Sequence, residues 1–376
     1  MFEFKLPSLG ADMDEGTLLE WKVAPGDSVH KGQIVAVVDT SKAAIDIEIW
    51  QDGTVQELRV QPGTKVPVGA VLAMMRAPGE HAGPEPVPAV TAAPRQHVSP
   101  AARRKAQALG VALSTLTGSG PDGAITLSDV ERAATATEAP AAGGKQATTP
   151  DDRTLAMRQT IAAAMSRSKR EIPHYYLLET IPMQRTQQWL EEHNAGRPIT
   201  ERVLMAVLQL KAVALTLKKY PEFNGLFQNG EFKPATAVHI GVAIALRQGG
   251  LIAPALHDVD SRPLGALMQD LADLVKRARA GSLRSSEMSD ACITVTNLGD
   301  QGVEAVMGVI YPPQVALVGF GNIARRPWVG PDDTLCAMPT VTASLAADHR
   351  VSDGHRGALF LAELRECLRQ PETLLP

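Results

Sequence analysis

The sequence predicts a multidomain chain with a small all-β sandwich, a small helical unit and a large α/β domain. The first 77 residues contain an internal repeat in which residue n aligns with residue n+37. Two segments rich in Ala, Pro, Thr and Gly, 78–97 and 134–150, contain almost no large aliphatic side chains and are predicted to be linkers. Between 151 and 376, helical patterns alternate with short apolar runs. A length of 376 residues has room for two or three folded units at about 150 residues each.

Composition argues against two classes of protein. The 37 basic and 41 acidic residues give a net charge of −4, without the excess of cations that a nucleic-acid-binding protein carries. The longest apolar stretches, such as 203–217 with Lys211 inside it, fall short of the ~20 residues of a membrane-spanning helix. The start of the sequence lacks the pattern of a signal peptide, and the three cysteines are scattered. These features predict a soluble protein of the reducing cytoplasm.

The repeat consists of short alternating runs that end in Pro-Gly turns. Segment 16–26 (GTLLEWKVAPG) aligns without a gap with segment 53–63 (GTVQELRVQPG). Two similar sets of strands predict a quasi-symmetric sandwich. Strands predicted at 34–38 and 45–49 are joined by 39–44, so that Lys42 is expected at the tip of an exposed hairpin.

Lys42 is the first candidate functional residue. A lysine at a turn is in most proteins a solvated side chain with no further role. Here, however, residues 1–77 resemble the lipoyl domain of 2-oxo acid dehydrogenase complexes, and Ser41 stands where that family commonly has an acidic residue. Biotinyl domains share the fold, but they usually flank their lysine with methionines, which are absent around Lys42. The resemblance implies that Lys42 carries lipoic acid in amide linkage.

Residues 98–133 predict two short helices. The first begins with Ser99 as N-cap followed by Pro100 and ends at Gly110, and the second begins with Thr126 or Ser128 as N-cap. Such a small core favours a docking module.

The pattern of this helical unit resembles the peripheral subunit-binding domain of the same complexes. That resemblance implies two partners, a thiamine-dependent decarboxylase component and a dihydrolipoamide dehydrogenase component. Arg103, Arg104 and Lys105 could bind such a partner by charge or could form a solvated basic helix face. Ala124 stands where the family often has an arginine.

The large domain, 151–376, predicts an α/β fold around a mixed sheet. Its apolar spacing predicts amphipathic helices at 154–170 and 200–219. Short strands are predicted at 175–181, 238–245, 292–295, 315–319 and 340–347.

Two motifs in this domain contain candidate catalytic groups. The segment DHRVSDG at 348–354 follows a predicted strand, and a histidine at such a position can act as a general base. Taken alone, His349 is more often explained as a structural histidine. The segment TVTNLG at 294–299 places the hydroxyl of Thr296 beside a bend, where it could donate to an oxyanion or cap a turn.

Taken together, these motifs resemble the catalytic domain of the dihydrolipoamide acyltransferases, which belongs to the chloramphenicol acetyltransferase type of coenzyme A-dependent enzyme. The segments IPH, HIGVA and GLIAP, at 172–174, 239–243 and 250–254, contribute to the resemblance.

The acyltransferase resemblance implies a role for each candidate residue. His349 takes the place of the general base, Asp353 that of a structural aspartate with Arg158 as its candidate ion-pair partner, and Thr296 that of the oxyanion donor. It further implies coenzyme A as substrate and a homotrimer assembled into a larger core.

Three functions are compatible with these features. The favoured one is an acyltransferase that moves an acyl group from its own lipoyl arm to coenzyme A, with acetyl preferred, so that pyruvate or acetoin would feed the complex. Branched-chain acyl groups remain open. The alternatives are a non-catalytic scaffold that tethers partner enzymes and a biotin carrier fused to a transferase. The presence of His349 and Thr296 argues against the scaffold.

We predict that Lys42→Arg abolishes turnover of the whole complex and leaves acyl transfer to free dihydrolipoamide intact. Arginine keeps the positive charge but cannot form the amide. Mass spectrometry of the wild-type hairpin peptide identifies the added group, since lipoyl and biotinyl additions differ by tens of daltons. Full coupled turnover by the arginine variant would contradict the assignment of Lys42.

Overall fold

The computed structural model describes residues 1–8, 15–40, 44–78, 102, 106, 126, 128–129, 150–246, 250–330 and 332–375. The chain forms two compact units. One contains Met1–Glu80 together with Pro150–Pro376, and the other contains His81–Thr149.

The N-terminal part of the first unit is the predicted all-β sandwich. Its strands are β1 Phe2–Lys5, β2 Glu15–Trp21, β3 Ser28–Val29, β4 Ile34–Asp39, β5 Ala44–Glu48, β6 Gly53–Leu58, β7 Lys65–Pro67 and β8 Val71–Arg76. One sheet has the strand order β1-β8-β6-β3, and the other contains β5-β4-β2-β7 in that order. Strands β2, β3 and β4 recur as β6, β7 and β8 at the predicted offset.

The two halves of the repeat also share their irregular features. The register of β2 on β4 shifts between Leu18 and Glu20, and that of β6 on β8 shifts between Val55 and Glu57, which are the equivalent positions. The turns that precede β3 and β7 each contain a glycine with positive φ, 96° at Gly26 and 90° at Gly63. L side chains rarely adopt this conformation, so both turns require glycine at this position. This requirement explains why the Pro-Gly pair occurs in both halves of the repeat.

The hairpin between β4 and β5 has the predicted strands. Asp39 pairs with Ala44 as the last pair before the turn. Lys42 lies between these two residues but outside the described part of the chain.

Few residues of the second unit are described. Ala102 and Ala106 are helical and buried. The backbone N–H and the hydroxyl of Thr126 both donate to Asp129 Oδ2, at 3.0 and 2.9 Å, which is the reach-back pattern of a helix start and favours Thr126 as the predicted N-cap. The basic residues of the first predicted helix (Arg103, Arg104 and Lys105) and Ala124 lie outside the described residues.

The large domain contains both predicted helices, and both start at a different residue, the first at Pro150 instead of 154. The helix predicted from residue 200 begins at Met205, because Ile199–Glu201 forms a 3₁₀ turn and Leu204 is extended. The helices of the described residues are α1 Pro150–Glu171, α2 Gln184–Asn194, α3 Met205–Lys219, α4 Leu264–Ala280, α5 Ser285–Ser289 and α6 Gly354–Arg369. None of them is long and apolar enough to cross a membrane.

A seven-stranded mixed sheet forms the centre of this domain, as predicted. Its seven strands are β9 His174–Pro182, β12 Ile240–Val242, β15 Ala255–Leu256, β17 Ile293–Asn297, β18 Ala316–Phe320, β19 Ala324–Val329 and β20 Leu335–Asp348. Their order is β15-β12-β17-β18-β20-β19, with β9 also paired to β20. β17 is parallel to β12 and β18, and β20 is antiparallel to β18, β19 and β9. The described strands of the domain outside this sheet are β10 Gly225–Gln228, β11 Glu231–Pro234, β13 Ile244–Ala245, β14 Leu251–Ile252 and β16 Ser282–Arg284.

The strand predicted at 238–245 is divided into two. β12 stays in the large sheet, whereas β13 leaves it to pair with β14. At the break, the Ala243 N–H donates to Val295 O at 3.0 Å, so that the chain leaves the sheet without losing this backbone hydrogen bond.

Strand β20 is buried on both faces along its second half. Ala343, Leu345 and Ala347 belong to the main core, whereas Ala346 points to a smaller cluster with Ile172, Ile310 and Leu317. This alternation follows from the two-residue period of a strand. The end of β20, where the DHRVSDG segment begins, is therefore held from both sides of the sheet.

Candidate active site

His349 lies immediately after β20. Its backbone N–H donates to Pro173 O at 3.0 Å, which ties the segment to the turn before β9. Its ring packs edge-on against Tyr175, with ring centroids 5.3 Å apart. The Tyr175 hydroxyl and the Ser352 hydroxyl lie 2.8 Å apart and hydrogen-bond, so the tyrosine is itself held in place. The histidine residue is exposed in the single chain and is available to a substrate.

The residues on either side of His349 form an ion pair that holds the turn. Asp348 is fully buried. It accepts hydrogen bonds from the Arg350 backbone N–H at 2.9 Å, from Nε at 3.0 Å and from Nη2 at 2.7 Å. The Arg350 guanidinium also lies over the Phe227 ring at 4.0 Å. Such bidentate, charge-assisted bonds have a fixed geometry, so they restrict the backbone on which His349 is placed.

Asp353 is the N-cap of α6. Its carboxylate accepts from the Arg356 backbone N–H at 2.9 Å. This hydrogen bond, with smaller contributions from His355 and His349, lowers the pKa of Asp353. Among the described residues no salt bridge joins Asp353 to Arg158, its predicted partner, which is exposed on α1. Within one chain, Asp353 therefore orients the start of α6 directly behind the His349 turn.

A second histidine, His174, forms a hydrogen-bond network next to this site. His174 Nδ1 donates to Ile172 O at 2.9 Å, and its Nε2 accepts from the Ile310 N–H at 3.1 Å. Ile310 O in turn accepts from the Ser168 hydroxyl at 2.7 Å. These bonds require neutral His174, and burial lowers its pKa accordingly. The network joins α1, β9 and the segment before β18.

Thr296 lies in β17, on the same sheet but distant from His349. It is in register with Gly319 of β18, which is in register with Ser344 of β20. His349 is five residues beyond Ser344, and β17 and β20 are separated by one strand. Strand rise and spacing then place the two residues about 15–20 Å apart. The structure of one chain brings His349, Arg350 and Asp353 together and leaves Thr296 apart from them.

A cavity of about 640 Å³ opens beside the His349 turn. Arg350 and Ile172 border it on the side of the turn, and Gln314 and Tyr311 border it on the side of β18. Gln314 is buried and fixed by hydrogen bonds with Thr294 at 2.7 Å and Ala291 O at 3.2 Å. The cavity thus has a wall of preset polar groups and is bordered by Arg350, the residue that follows the candidate base.

Sequence reasoning missed three residues of this site. The sequence alone predicts Tyr175 only as part of a strand and His174 only as part of a motif, and it assigns no role to Arg350. The sequence does contain a signal for Arg350, because Asp348 and Arg350 flank His349 directly. An acidic residue and an arginine on either side of a candidate base at a strand end can form an ion pair around it.

Comparison with known families matches three parts of the chain. Residues 147–376 match the model described as 2-oxoacid dehydrogenases acyltransferase (catalytic domain). Residues 2–75 match the model of biotin- and lipoyl-carrying domains, described as biotin-requiring enzyme. Residues 96–131 match the model described as e3 binding domain.

Whole-length relatives and solved structures agree with these matches. The dihydrolipoyllysine-residue acetyltransferase components of the pyruvate dehydrogenase complexes of Staphylococcus aureus strain Mu50 and Zymomonas mobilis are each 30% identical to the chain. The matches cover 100% and 99% of the chain and 99% of each relative. A solved structure of Azotobacter vinelandii dihydrolipoamide acetyltransferase has 27% identity and a TM-score of 0.54, covering 58% of this chain and 90% of that one.

The chain belongs to the 2-oxoacid dehydrogenase acyltransferase family. It is an enzyme of acyl transfer with a lipoyl-type domain, a domain of the class that carries covalent lipoate, so the predicted architecture and class of function are confirmed. The alternative of a non-catalytic scaffold is therefore wrong.

We predict that His174 makes the stability of the fold depend on pH. Its folded pKa is lowered, so the unfolded chain binds more protons below the ordinary value of about 6.5. The contribution of neutral His174 to the free energy of unfolding is present above this pH and is lost as the pH falls through the pKa of His174 in the folded protein. Between about pH 8 and pH 5, the free energy of unfolding should fall more steeply for the wild type than for His174→Gln. His30, 81% exposed, provides the control His30→Gln, which should keep the wild-type slope.

Proposed function

We propose that this chain is a dihydrolipoamide acyltransferase that moves an acetyl group between its lipoyl arm and coenzyme A, at the core of a pyruvate dehydrogenase complex. The observation that carries the proposal is the position of His349, at the end of a buried strand, packed on Tyr175 and next to Arg350 in the cavity wall. Relatives that match the chain over almost their whole length are named dihydrolipoyllysine-residue acetyltransferases, and this supports the choice of the acetyl group.

The reaction requires a base for a thiol. The thiol of coenzyme A, with a pKa of about 8.5, is mostly protonated at neutral pH, and an imidazole is a suitable acceptor for its proton. His349 accepts that proton as the sulfur attacks the thioester carbonyl, forming a new C–S bond. When the old C–S bond breaks, His349 returns the proton to the departing sulfur. The same steps run in reverse when acyl-CoA is the donor.

The attacked carbonyl oxygen becomes an oxyanion and needs a hydrogen-bond donor. We assign this role to the Thr296 hydroxyl, whose loss would cost roughly 2.7–4 kcal/mol by analogy with similar donors. Thr296 and His349 are too far apart in one chain to act on one substrate. We therefore place the active site at a contact between two subunits of a trimer, with His349 from one and Thr296 from the next.

Lys42 is the residue that would hold the lipoyl group. When bound, that group supplies a dithiol that carries the acyl thioester. The closed pairing of Asp39 with Ala44 supports this assignment, because it gives the hairpin that contains Lys42 a rigid base.

The helical unit at 96–131 is the part of the chain that would bind the partner enzymes. We propose that it binds the dihydrolipoamide dehydrogenase or the thiamine-dependent decarboxylase component, in keeping with the family it matches. Trimers of the catalytic domain would assemble into the core of that complex.

We predict that purified protein prefers acetyl-CoA in an assay with free dihydrolipoamide and a panel of acyl-CoA thioesters. The measurement is kcat/KM for each thioester. A higher kcat/KM for branched-chain acyl groups would assign the chain to a different 2-oxo acid.

We predict that His349→Ala lowers the rate of acyl transfer by about 10²–10⁴-fold, the range for a positioned general base. Folding should be retained, because the residue is exposed at the end of β20. His355→Ala is the matched control, since His355 is the nearest other histidine in the sequence and is exposed on α6. A loss below tenfold for His349→Ala, with a large loss for His355→Ala, would move the base to His355.

We predict that two inactive variants, His349→Ala and Thr296→Ala, complement each other. Each retains the group that the other lacks, so mixed trimers contain some subunit contacts with both. Co-refolding the two should restore a measurable fraction of wild-type activity, while each variant refolded alone stays strongly impaired. No recovery in trimers verified to be mixed would contradict a site shared between subunits.

A further inference from the structure

The lipoyl-type sandwich and the catalytic domain share a sheet. Strand β16 of the catalytic domain pairs in parallel with β5, with Ser282 opposite Ala44, Leu283 opposite Ile45 and Arg284 opposite Asp46. β5 is otherwise the edge of its sheet, so β16 adds a fifth strand. An exposed sheet edge offers unpaired backbone groups, and addition of a strand is a recurrent way of binding one.

Glu48, at the end of β5, makes the contact specific. Its Oε2 accepts from the Ser286 hydroxyl at 2.6 Å and from the Ser286 N–H at 3.2 Å. The Ser285 hydroxyl accepts from the Glu48 N–H at 3.1 Å and lies 3.4 Å from the same carboxylate oxygen. Glu48 is only 7% exposed, so its charge is satisfied by groups of the other domain. A buried carboxylate without such donors would be strongly unfavourable.

Apolar and charged contacts extend the interface on both sides of Glu48. Met288 packs against the core of the sandwich and also against the core of the catalytic domain. Asp46 is attracted to Arg284 and Arg277 of the catalytic domain, although burial is the larger effect and raises its pKa. The carboxylate and the two arginines have opposite charge, as expected for a cognate contact.

The catalytic side of the interface is held in shape by its own bonds. Arg277 makes a bidentate ion pair with Glu287, with both N–O distances 2.5 Å. Glu287 Oε2 also accepts from the Arg284 N–H at 2.8 Å. Glu287 is 5% exposed, so these bonds keep its charge paired. The segment is thereby preset in the form that pairs with β5.

This interface adjoins the cavity described above. Ser8 of the sandwich lines the cavity together with Ser289 and Arg350 of the catalytic domain. Ala44, the first residue paired with β16, is also the residue that closes the Lys42 hairpin opposite Asp39. A sandwich held on β16 therefore has the base of that hairpin fixed relative to the catalytic domain.

We propose that the segment Ser282–Ser289 is the docking site by which the catalytic domain captures the chain's own lipoyl domain during transfer, with strand β5 and Glu48 as the recognised features. Its role in transfer rests on the proposed function. The existence of the dock does not, because it is tested by a physical measurement.

Amide hydrogen exchange on the full chain measures the dock. In the wild type, the amides of Ser282, Leu283 and Ser286 should be protected, whereas the Arg284 N–H is bonded to Glu287 within the catalytic domain and does not report on the dock. Glu48→Gln removes the charge and keeps the shape, and the exchange of these amides should rise by about tenfold or more, the size expected for loss of charge-assisted hydrogen bonds. Glu57→Gln is the matched control, because Glu57 lies on β6 in the other sheet, is 64% exposed and forms a salt bridge with Arg59 of its own domain.

A second variant tests whether Glu48 acts through Ser286. Ser286→Ala removes the hydroxyl donor from the catalytic side. If the two groups act through one contact, the double variant should exchange little faster than Glu48→Gln alone. Fully additive effects would show that Glu48 acts elsewhere and would overturn the assigned contact.

Two transfer rates connect the dock to function. Glu48→Gln should slow acyl transfer from acetyl-CoA to the chain's own lipoyl group and leave kcat and KM for free dihydrolipoamide unchanged. Unprotected β16 amides in the wild type, or equal exchange in Glu48→Gln and wild type, would overturn the dock. Faster exchange with an unchanged rate to the attached lipoyl group would overturn its role in transfer. If the wild type fails to acylate free dihydrolipoamide, the proposed function is wrong, and the exchange comparison still decides whether the dock exists.

Discussion

The arrangement of the candidate active site depends on one buried carboxylate, Asp348, and on the arginine that pairs with it. A charge with no exposure to water is stable here because Arg350 supplies donors to it from its backbone N–H and from its guanidinium Nε and Nη2. Removing one partner of such a pair commonly costs 3–5 kcal/mol, since the other charge is then left uncompensated. His349 stands between the two residues and therefore takes its position from their bond. Tyr175 and the cap at Asp353 then orient the ring and the helix behind it.

Sheet geometry sets a second constraint. A side chain in β17 and one beyond the end of β20 cannot meet, because strand spacing and rise are nearly invariant. Thr296 and His349 are therefore complementary only if another copy of the chain brings the missing group. In the proposed mechanism, oligomerisation therefore supplies a catalytic group that one chain lacks at its own His349.

A group carrier has two opposing requirements, since it must travel between partners and must also be captured by each of them. An edge strand with a charged residue at its end meets both requirements. Its backbone groups can pair with water or with an added strand, and Glu48 is satisfied in either environment by solvent or by the two serines. The contact is therefore built from exchangeable hydrogen bonds around one small apolar anchor, Met288.

Local pattern predicted the repeated strands of the sandwich, two helices of the large domain and most strands of its central sheet. The period of 37 residues predicts the sandwich because each half repeats the same strand lengths and the same Pro-Gly turns, and those are local properties. The DHRVSDG segment predicts a base at a strand end for the same reason. What local pattern does not contain is which distant groups meet. The contact of Tyr175 with His349, the tautomer of His174 and the addition of β16 to β5 each join residues that are far apart in the chain. Their partners are chosen by strand order and by the burial of charge, and both exist only once the chain has folded.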